Sequence, residues 1–352
     1  MPIIRVAVPQ WEPAWFDKAA TTQRVVELIK EAADGGAKLV AFGELAIPGY
    51  PTYLFGGRME DIYAHNIDYF NNSLDLDGAE IHAIRIAAQA NKIIVHVGFS
   101  EIDGKTLYMG NVVIDEHGEI ILHRRKIKPS HYERTLFGDA GPESVVNVVE
   151  TSIGRISVLN CWEHCQPLLK YHTYSQRPLI HIAAWPLLHR WSGKGHWAMS
   201  NEAGLAVTRT VAFEAGAFTL MCSQFMSKAG LEKNKVHGLV LKDEANGCGP
   251  VVEGGGVSRV YGPDGSQLTE SIPDTAEQIV YSDLDTDMVY LTAQAQDVVG
   301  HYSRPDIFQL VVNKTPAPRV VYRNEDGSVH TVTKTITPFK AIAIGTEQEG
   351  ER

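Results

Sequence analysis

Short apolar runs alternate with amphipathic segments through the first half of the chain. The β-branched run IIRVAVPQ predicts a strand, and the next segment, from about Thr21, places Val25 and Ile29 on one face of a helix that ends at Gly35. AKLVAFGEL is nearly all apolar, which is typical of a strand buried on both faces, and KIIVHVGFSEI predicts a further strand. DGAEIHAIRIAAQAN predicts a helix between these two strands. This alternation indicates an α/β domain.

Hairpins interrupt that alternation. TLYMGNVVID and GEIILHRRKIK flank the turn formers EHG, and GVSRVYGPDGSQL turns at PDG. In the second half, GRISVLNC, PLIHIAAWP, AFTLMCSQ and QIVYSDLD predict strands, Pro167 to Ser175 predicts a helix, and HWAMSNEAGLAVTRTVAFEAG predicts a longer one. Because hairpins are present and the two halves are alike, we expect two stacked mixed sheets with outer helices instead of one doubly wound sheet.

The character of the chain changes after about Val312. NKTPAPRVVYRNEDGSVHTVTKTITPFK is polar with scattered proline and threonine, and the chain ends in TEQEGER. We therefore expect one domain over residues 1–312 and a C-terminal tail over residues 313–352 that is partly extended and partly disordered.

Composition and charge narrow the class of protein. The chain has 352 residues and a formal net charge of −10, which disfavours nucleic acid and anionic membranes as partners. No apolar run approaches the roughly 20 residues that span a bilayer, and the N-terminus lacks the pattern of a secretory signal. Four cysteines in so long a chain are not a disulfide framework. We therefore expect a cytoplasmic protein with reduced thiols.

Three predicted strands end in a reactive side chain, namely Glu44, Lys126 and Cys161. Active sites of α/β proteins gather at the carboxyl ends of strands, so these groups can meet there. A carboxylate can then deprotonate the thiol, the thiolate can attack, and the ammonium can stabilise developing charge. Each residue alone also has an ordinary explanation, because free cysteines are usually core residues and a lysine or glutamate is usually solvated.

The stretch VLNCWEHCQPL permits other interpretations. Cys161, His164 and Cys165 could ligate a metal, but the chain has no HExxH motif and no second cluster at ligand spacing, so we expect no metal. His164 could pair with the Cys161 thiol, although a structural hydrogen bond is favoured. No phosphate-binding loop or dinucleotide fingerprint is present, and the covalent chemistry requires no cofactor.

Four motifs resemble those of the nitrilase family: AFGELAIPGYP, HRRKIKPSHYERTLFGD, LNCWEHCQPL and DVVGHYSRPDIF. The resemblance covers roughly Pro2 to Val312 and implies an α-β-β-α sandwich. It also implies that Glu44 is the general base, that Lys126, and not Lys128, is the catalytic cation, and that Cys161 is the nucleophile.

The resemblance adds a second carboxylate. Glu133 in HYER matches a family glutamate that supports the lysine and the substrate. The alternative is a surface ion pair of Glu133 with Arg134 or Arg125.

Several aromatic and histidine residues are candidates for substrate contact. The backbone N–H of Trp162 is placed for an oxyanion-type contact, while His131 and Trp185 are expected to line the pocket or to pack beside it. PGYPTYLFGG contributes Tyr50, and its aromatic content favours an apolar pocket or core packing about equally. Cys222 ends an apolar strand and is expected in the core, whereas Cys248 lies in a loop.

The sequence differs from the family motifs at a few positions. Gly43 stands where proline is common, and Cys165 stands where an aromatic or aliphatic residue is common. Cys165 is therefore expected in the pocket wall or the core. GDAGPES also replaces a more glycine-rich stretch, so these departures leave the substrate range open.

The resemblance implies hydrolysis of an organic nitrile to a carboxylic acid and ammonia through a thioimidate and a thioester on Cys161. Alternatives are a cyanide-processing enzyme, an enzyme that stops at the amide, an amidase, and an inactive relative that only binds. The resemblance further implies a homo-oligomer, a dimer that extends into a spiral or filament, in which the tail is a candidate assembly element.

Overall fold

The computed structural model describes residues 3–55, 59–190, 196–234, 252–317 and 320–330. Within these ranges, two mixed sheets pack face to face and helices cover their outer faces. The predicted α-β-β-α sandwich is confirmed. None of the described helices has both the length and the apolar character needed to cross a bilayer.

The elements follow the alternation that the sequence predicts. The strands are β1 Ile3–Gln10, β2 Leu39–Ala41, β3 Ile94–Asp103, β4 Thr106–Ile114, β5 Ile120–Arg125, β6 Val148–Thr151, β7 Gly154–Asn160, β8 Ile180–Ala184, β9 Phe218–Cys222, β10 Arg259–Tyr261, β11 Gln278–Asp285, β12 Tyr322–Arg323 and β13 Val329–His330. The α-helices are α1 Lys18–Asp34, α2 Met59–Asn71, α3 Ala79–Asn91, α4 Pro167–Ser175, α5 Asn201–Ala215, α6 Lys228–Lys233 and α7 Asp287–Ala295.

Both large sheets have a parallel centre and antiparallel edges. The first has the strand order β11-β1-β2-β3-β4-β5, with β1, β2 and β3 parallel. The second has the order β10-β9-β8-β7-β6, with β7, β8 and β9 parallel. The predicted hairpin around EHG is the β4–β5 pair. The carboxyl ends of the parallel strands therefore form one edge in each sheet.

The core lies in layers that follow the side-chain alternation of the strands. Val6 and Val8 of β1 pack between the sheets against Ile180 and Ile182 of β8, whereas Ala7 faces the helix layer. The helices α1 and α3 cover that face of the first sheet, and α5 covers the second sheet. These layers hold the strand ends in place.

The strand around Glu44 is shorter than its apolar pattern predicts. β2 ends at Ala41, although the Phe42 N–H still donates to the His96 carbonyl over 3.1 Å. A Cβ atom on Gly43 would lie 2.6 Å from the Trp185 carbonyl oxygen. The chain therefore crosses towards the second sheet here, and Glu44 lies in a turn instead of at a strand end.

Other elements lacked a clear pattern. The helix α2 exposes Met59, Tyr63 and Ile67 at more than 60% each, so its apolar residues do not mark one buried face. In the tail, β12 and β13 form an antiparallel pair in which Tyr322, Arg323 and Val329 are exposed. Residues 331–352, predicted to be partly disordered, and the loop at Cys248 lie outside the described residues.

Candidate active site

Glu44, Lys126 and Cys161 meet between the two sheets although they come from separate elements. Lys126 directly follows β5 and Cys161 directly follows β7. The Lys126 ammonium lies 2.9 Å from Glu44 Oε1 and 2.8 Å from Glu133 Oε2. The side chains of Lys126 and Glu44 are 0% exposed and that of Glu133 is 1% exposed, so this ion cluster is screened from water.

Glu133 is held by three donors. It lies in a short 3₁₀ turn, His131–Thr135, where the Ser130 N–H and the Lys126 ammonium both donate to Oε2. The Tyr50 hydroxyl donates to Oε1 over 2.7 Å. Both oxygens of this carboxylate are therefore occupied, and the ammonium is fixed from one side.

The alternative placement of Glu133 in a surface ion pair is wrong. Arg134 donates to the Pro129 carbonyl, and Arg125 pairs with Glu101 and Asp103.

The two candidate lysines, Lys126 and Lys128, lie in different environments. Lys128 pairs with Asp139 at the surface and is 58% exposed, so only Lys126 reaches the cluster.

The thiol sits on a sharp turn between β7 and the 3₁₀ helix Cys161–Cys165. Cys161 adopts a φ of 44°, in the left-handed region that non-glycine residues rarely occupy. Such strain is common at functional sites, where the surrounding structure enforces it. The Cys161 sulfur and one carboxylate oxygen each of Glu44 and Glu133 lie within 4.8 Å of one another. The thiol and its candidate base are therefore close together.

Both ring nitrogens of His164 are engaged by groups other than the Cys161 thiol. Its Nδ1–H donates to the Cys161 carbonyl over 2.6 Å, and its Nε2 lies 2.9 Å from His181 Nε2. Burial lowers the pKa of His164 to about 4, so the ring is neutral near pH 7. The preference for a structural hydrogen bond is confirmed.

Burial and local charge set the protonation of the cluster. Burial raises the pKa of Glu44 to about 8; Lys126 opposes this effect, whereas Glu133 adds to it. Burial also raises the pKa of the Cys161 thiol, and only Lys126 and the Trp162 N–H act against that rise. Burial disfavours the Lys126 ammonium, but Glu133 and Glu44 outweigh it and raise the pKa of Lys126. The cluster therefore contains a charged lysine, a protonated thiol and a carboxyl group that titrates near neutrality.

The cluster suits an ammonium better than a metal ion. Glu44, Glu133 and Cys161 offer three donor atoms, but the Lys126 ammonium already contacts both carboxylates. A metal cation there would meet the positive charge of Lys126. The other candidate set fails because His164 uses Nδ1 on a backbone carbonyl and directs Nε2 at His181.

An apolar cavity of about 290 Å³ borders the thiol and Glu133. Four sequence-predicted residues line it, namely Tyr50, His131, Trp162 and Trp185. Cys165 also lines this cavity and is exposed there, so it belongs to the pocket wall and not to the core. Cys222 is fully buried in the core between the sheets, as predicted.

The family is shown by comparison with known proteins. A model of the carbon-nitrogen hydrolase family matches residues 5–294. The chain belongs to the carbon–nitrogen hydrolase family. An arylacetonitrilase from Aspergillus kawachii is 44% identical over 310 residues, which are 88% of this chain and 92% of that protein. A nitrilase from Talaromyces marneffei is 39% identical over 320 residues, which are 89% of this chain and 96% of that protein. The chain is thus a nitrilase-type member.

The fold agrees with this assignment. A carbon–nitrogen hydrolase from Helicobacter pylori has a crystal structure that superposes with a TM-score of 0.65 at 18% identity, covering 87% of this chain and 97% of that one. At such low identity the match concerns the fold alone.

The sequence did not predict most of the residues that line the cavity of this carbon–nitrogen hydrolase. The wall includes Leu187, Leu188, His189 and the start of α5 from Ser200 to Val207. The run WPLLHR directly after β8 was an available signal, because it follows the carboxyl end of a parallel strand. Predicting its contact with Cys161 requires knowing that β8 neighbours β7.

Proposed function

We propose that this protein hydrolyses organic nitriles, with arylacetonitriles as the substrate class, to the carboxylic acid and ammonia. The observation that carries this proposal is the buried cluster of Glu44, Lys126, Glu133 and Cys161 beside an apolar cavity. A nucleophile, a candidate base and a fixed cation within a few ångströms are the components of covalent hydrolysis of a C–N bond.

The two carboxylates have different surroundings, which supports different roles. Both oxygens of Glu133 accept hydrogen bonds from three donors in all, whereas Glu44 is held by the Lys126 ammonium at 2.9 Å and by the Asn160 side chain. A base with free lone pairs and a pKa near 8 can take the thiol proton near neutral pH. Glu44 is therefore the base in this proposal, and Glu133 orients Lys126.

The proposed reaction conserves atoms and protons. Glu44 removes the proton of Cys161, the sulfur adds to the nitrile carbon, and the nitrile nitrogen gains a proton to give a thioimidate. Water adds next, and Lys126 stabilises the tetrahedral species while ammonia leaves. A second water then cleaves the remaining thioester to the carboxylic acid and restores the thiol. The Trp162 N–H supports negative charge beside the sulfur.

The cavity supports an aryl substrate. Its wall is largely apolar, with Trp162, Trp185, Leu187 and Leu188 among the lining residues, and His131 is a candidate polar contact. A protein cavity of roughly 150 Å³ can hold benzene, and this one measures about 290 Å³. The space suits an aromatic ring with a short linker to the nitrile better than hydrogen cyanide.

The names of the relatives favour the same choice. They are arylacetonitrilases and nitrilases, which supports nitrile hydrolysis over the cyanide-processing, amide-forming and amidase alternatives. The intact cluster argues against an inactive relative.

The test is to incubate the enzyme with phenylacetonitrile and to measure ammonia, phenylacetic acid and phenylacetamide. We expect mainly acid, a mass adduct on Cys161 during turnover, and no turnover by Cys161→Ala. Cys165→Ala is the control for the site of the adduct, because it removes the other thiol of the same 3₁₀ helix, and its adduct on Cys161 should persist. Turnover by Cys161→Ala would refute the proposal.

We also propose that residues 1–312 form the hydrolase domain, that the protein is a cytoplasmic homo-oligomer, and that the tail contributes to assembly. The family match ends at residue 294, before the tail begins. Truncation after Val312 should reduce the particle size measured by light scattering while the rate per site is retained; an unchanged size would argue against the role of the tail.

A further inference from the structure

Glu163 is a buried carboxylate that the proposed reaction does not use. It lies in the 3₁₀ helix two residues after Cys161 and is 4% exposed. Its Oε2 accepts the Asn160 N–H over 2.8 Å, and its Oε1 accepts the Ile127 N–H over 2.9 Å. One of these backbone groups immediately precedes Cys161, and the other immediately follows Lys126.

A buried arginine completes the arrangement. The Arg124 guanidinium donates to Oε2 over 2.9 Å and to Oε1 over 2.7 Å of Glu163. Arg124 is also bound to the Asn160 side-chain oxygen over 3.1 Å and is 1% exposed. Each carboxylate oxygen therefore has one backbone donor and one guanidinium donor, in the bidentate geometry that orients both partners.

These contacts cross from one sheet to the other. Arg124 lies on β5, an edge strand of the six-stranded sheet, and Asn160 ends β7 of the five-stranded sheet. Asn111 on β4 adds a further bond across the gap, because its amide donates to the Asn160 side-chain oxygen over 2.8 Å. No sheet hydrogen bonding joins β5 to β7, so side chains must set their separation.

We propose that Glu163 is a positioning residue whose two oxygens set the separation between the Lys126 ammonium and the Cys161 sulfur. The inference rests on the nitrile-hydrolysing function proposed above and adds a determinant of its geometry. Burial by itself would raise the pKa of Glu163, but Arg124 and the two backbone donors lower it. The carboxylate thus stays charged and does not compete with Glu44 for the thiol proton.

Glu163→Gln is the first test, because it keeps the side-chain size and removes one acceptor oxygen. Misplacing reacting groups by about 1 Å can cost roughly 100-fold in rate. We expect kcat for phenylacetonitrile to fall by about that factor while KM changes by less than about threefold. Alkylation of Cys161 by iodoacetamide, followed by mass spectrometry in a Cys165→Ser background, should also slow.

A matched control separates positioning from general stability. Glu101 is also buried and pairs with Arg125, the next residue along β5, and with His123, both of which lie outside the cluster. Glu101→Gln should lower the melting temperature like Glu163→Gln while kcat and the alkylation rate of Cys161 stay near wild type. Equal losses of kcat in the two variants would overturn the proposal.

The double variant Arg124→Met with Glu163→Leu decides the matter if Glu163→Gln does not fold. Replacing a buried ion pair by apolar side chains is often neutral for stability, but here it leaves the Asn160 and Ile127 N–H groups without their acceptor. We expect a folded protein whose melting temperature is lowered by these two unpaired groups, with kcat and Cys161 alkylation impaired; wild-type kcat and a wild-type alkylation rate would overturn the inference. If the wild type hydrolyses no nitrile but these variants still slow alkylation, the proposed function fails and the positioning role stands.

Discussion

Two buried carboxylate–cation pairs lie side by side at the end of β5, yet they differ in chemistry. In the Glu163–Arg124 pair both oxygens are saturated by donors. In the Glu44–Lys126 pair the ions are 2.9 Å apart, and besides this ammonium Glu44 has only the Asn160 side chain as a hydrogen-bond partner among the described residues. The pKa of Glu163 is lowered, whereas burial raises that of Glu44 to about 8.

The comparison indicates that the number of donors around a buried carboxylate decides the direction in which its pKa shifts. Burial disfavours both charges, but donors on every lone pair compensate Glu163. Glu44 shares one ammonium with Glu133 and has the Asn160 side chain as its other donor, so its charge is compensated less than that of Glu163. A carboxylate in this state can accept a proton from a neighbouring thiol.

The largest effect is expected for Glu44→Gln. Loss of a positioned general base costs about 10²–10⁴ in rate, and kcat for phenylacetonitrile should fall in that range. The melting temperature should fall less than that of Glu163→Gln, because Gln keeps the shape of the side chain and the raised pKa of Glu44 means that its charged form adds little stability. Calorimetry beside Glu163→Gln, which should be destabilised, sharpens the contrast. A kcat of the Glu44→Gln enzyme within tenfold of wild type would contradict the role of Glu44 as the general base.

The pH profile should report the same carboxyl group. Because the base acts when deprotonated, kcat/KM should rise about tenfold per pH unit below the pKa and level off above about 8. The stability contribution has the opposite sign. It is fully present below the ordinary value of 4.5 and is lost as pH rises to about 8, because the folded state holds the proton longer. A flat kcat/KM between pH 6 and 9 would break the comparison.

A moderate effect is expected for Tyr50→Phe. The change removes the 2.7 Å hydrogen bond to Glu133 Oε1 and makes that carboxylate resemble the unsaturated Glu44. Loss of one such bond is worth about 1 kcal/mol, so kcat should fall by roughly fivefold. Titration of activity with pH should also shift, since less of the Glu133 charge is compensated. Wild-type kcat with an unchanged pH profile would show that the Tyr50–Glu133 hydrogen bond does not contribute to activity.

The smallest effect is expected for Lys128→Ala. Lys128 pairs with Asp139 at the surface, with 58% and 55% of the side chains exposed. Such pairs contribute about 0–1 kcal/mol, so the free energy of unfolding should change little and kcat should stay at wild type. Urea unfolding and steady-state kinetics measure both. A large loss of activity would mean that the wrong lysine has been assigned.

The sequence predicted the layers of this fold well, because they depend on side-chain alternation. The limits of β3, β7, β8 and α4 follow the apolar runs closely, and the β4–β5 turn follows its turn-forming residues. The sequence did not predict where β2 ends, because that limit depends on the backbone of another element. The Trp185 carbonyl beside Gly43 ends the sheet pairing of β2 early, and no local pattern contains that contact.

The motifs by themselves indicated the family. They also indicated the candidate residues Glu44, Lys126, Glu133 and Cys161, because these residues lie in short sequence motifs that occur in the order typical of the family. Only the tertiary structure decided their surroundings. Arg124 and Glu163 are separated by 39 positions, yet each completes the hydrogen bonding of the other. Burial and donor count, which set the pKa of each carboxylate, are properties of packed neighbours, so they arise only when the two sheets come together.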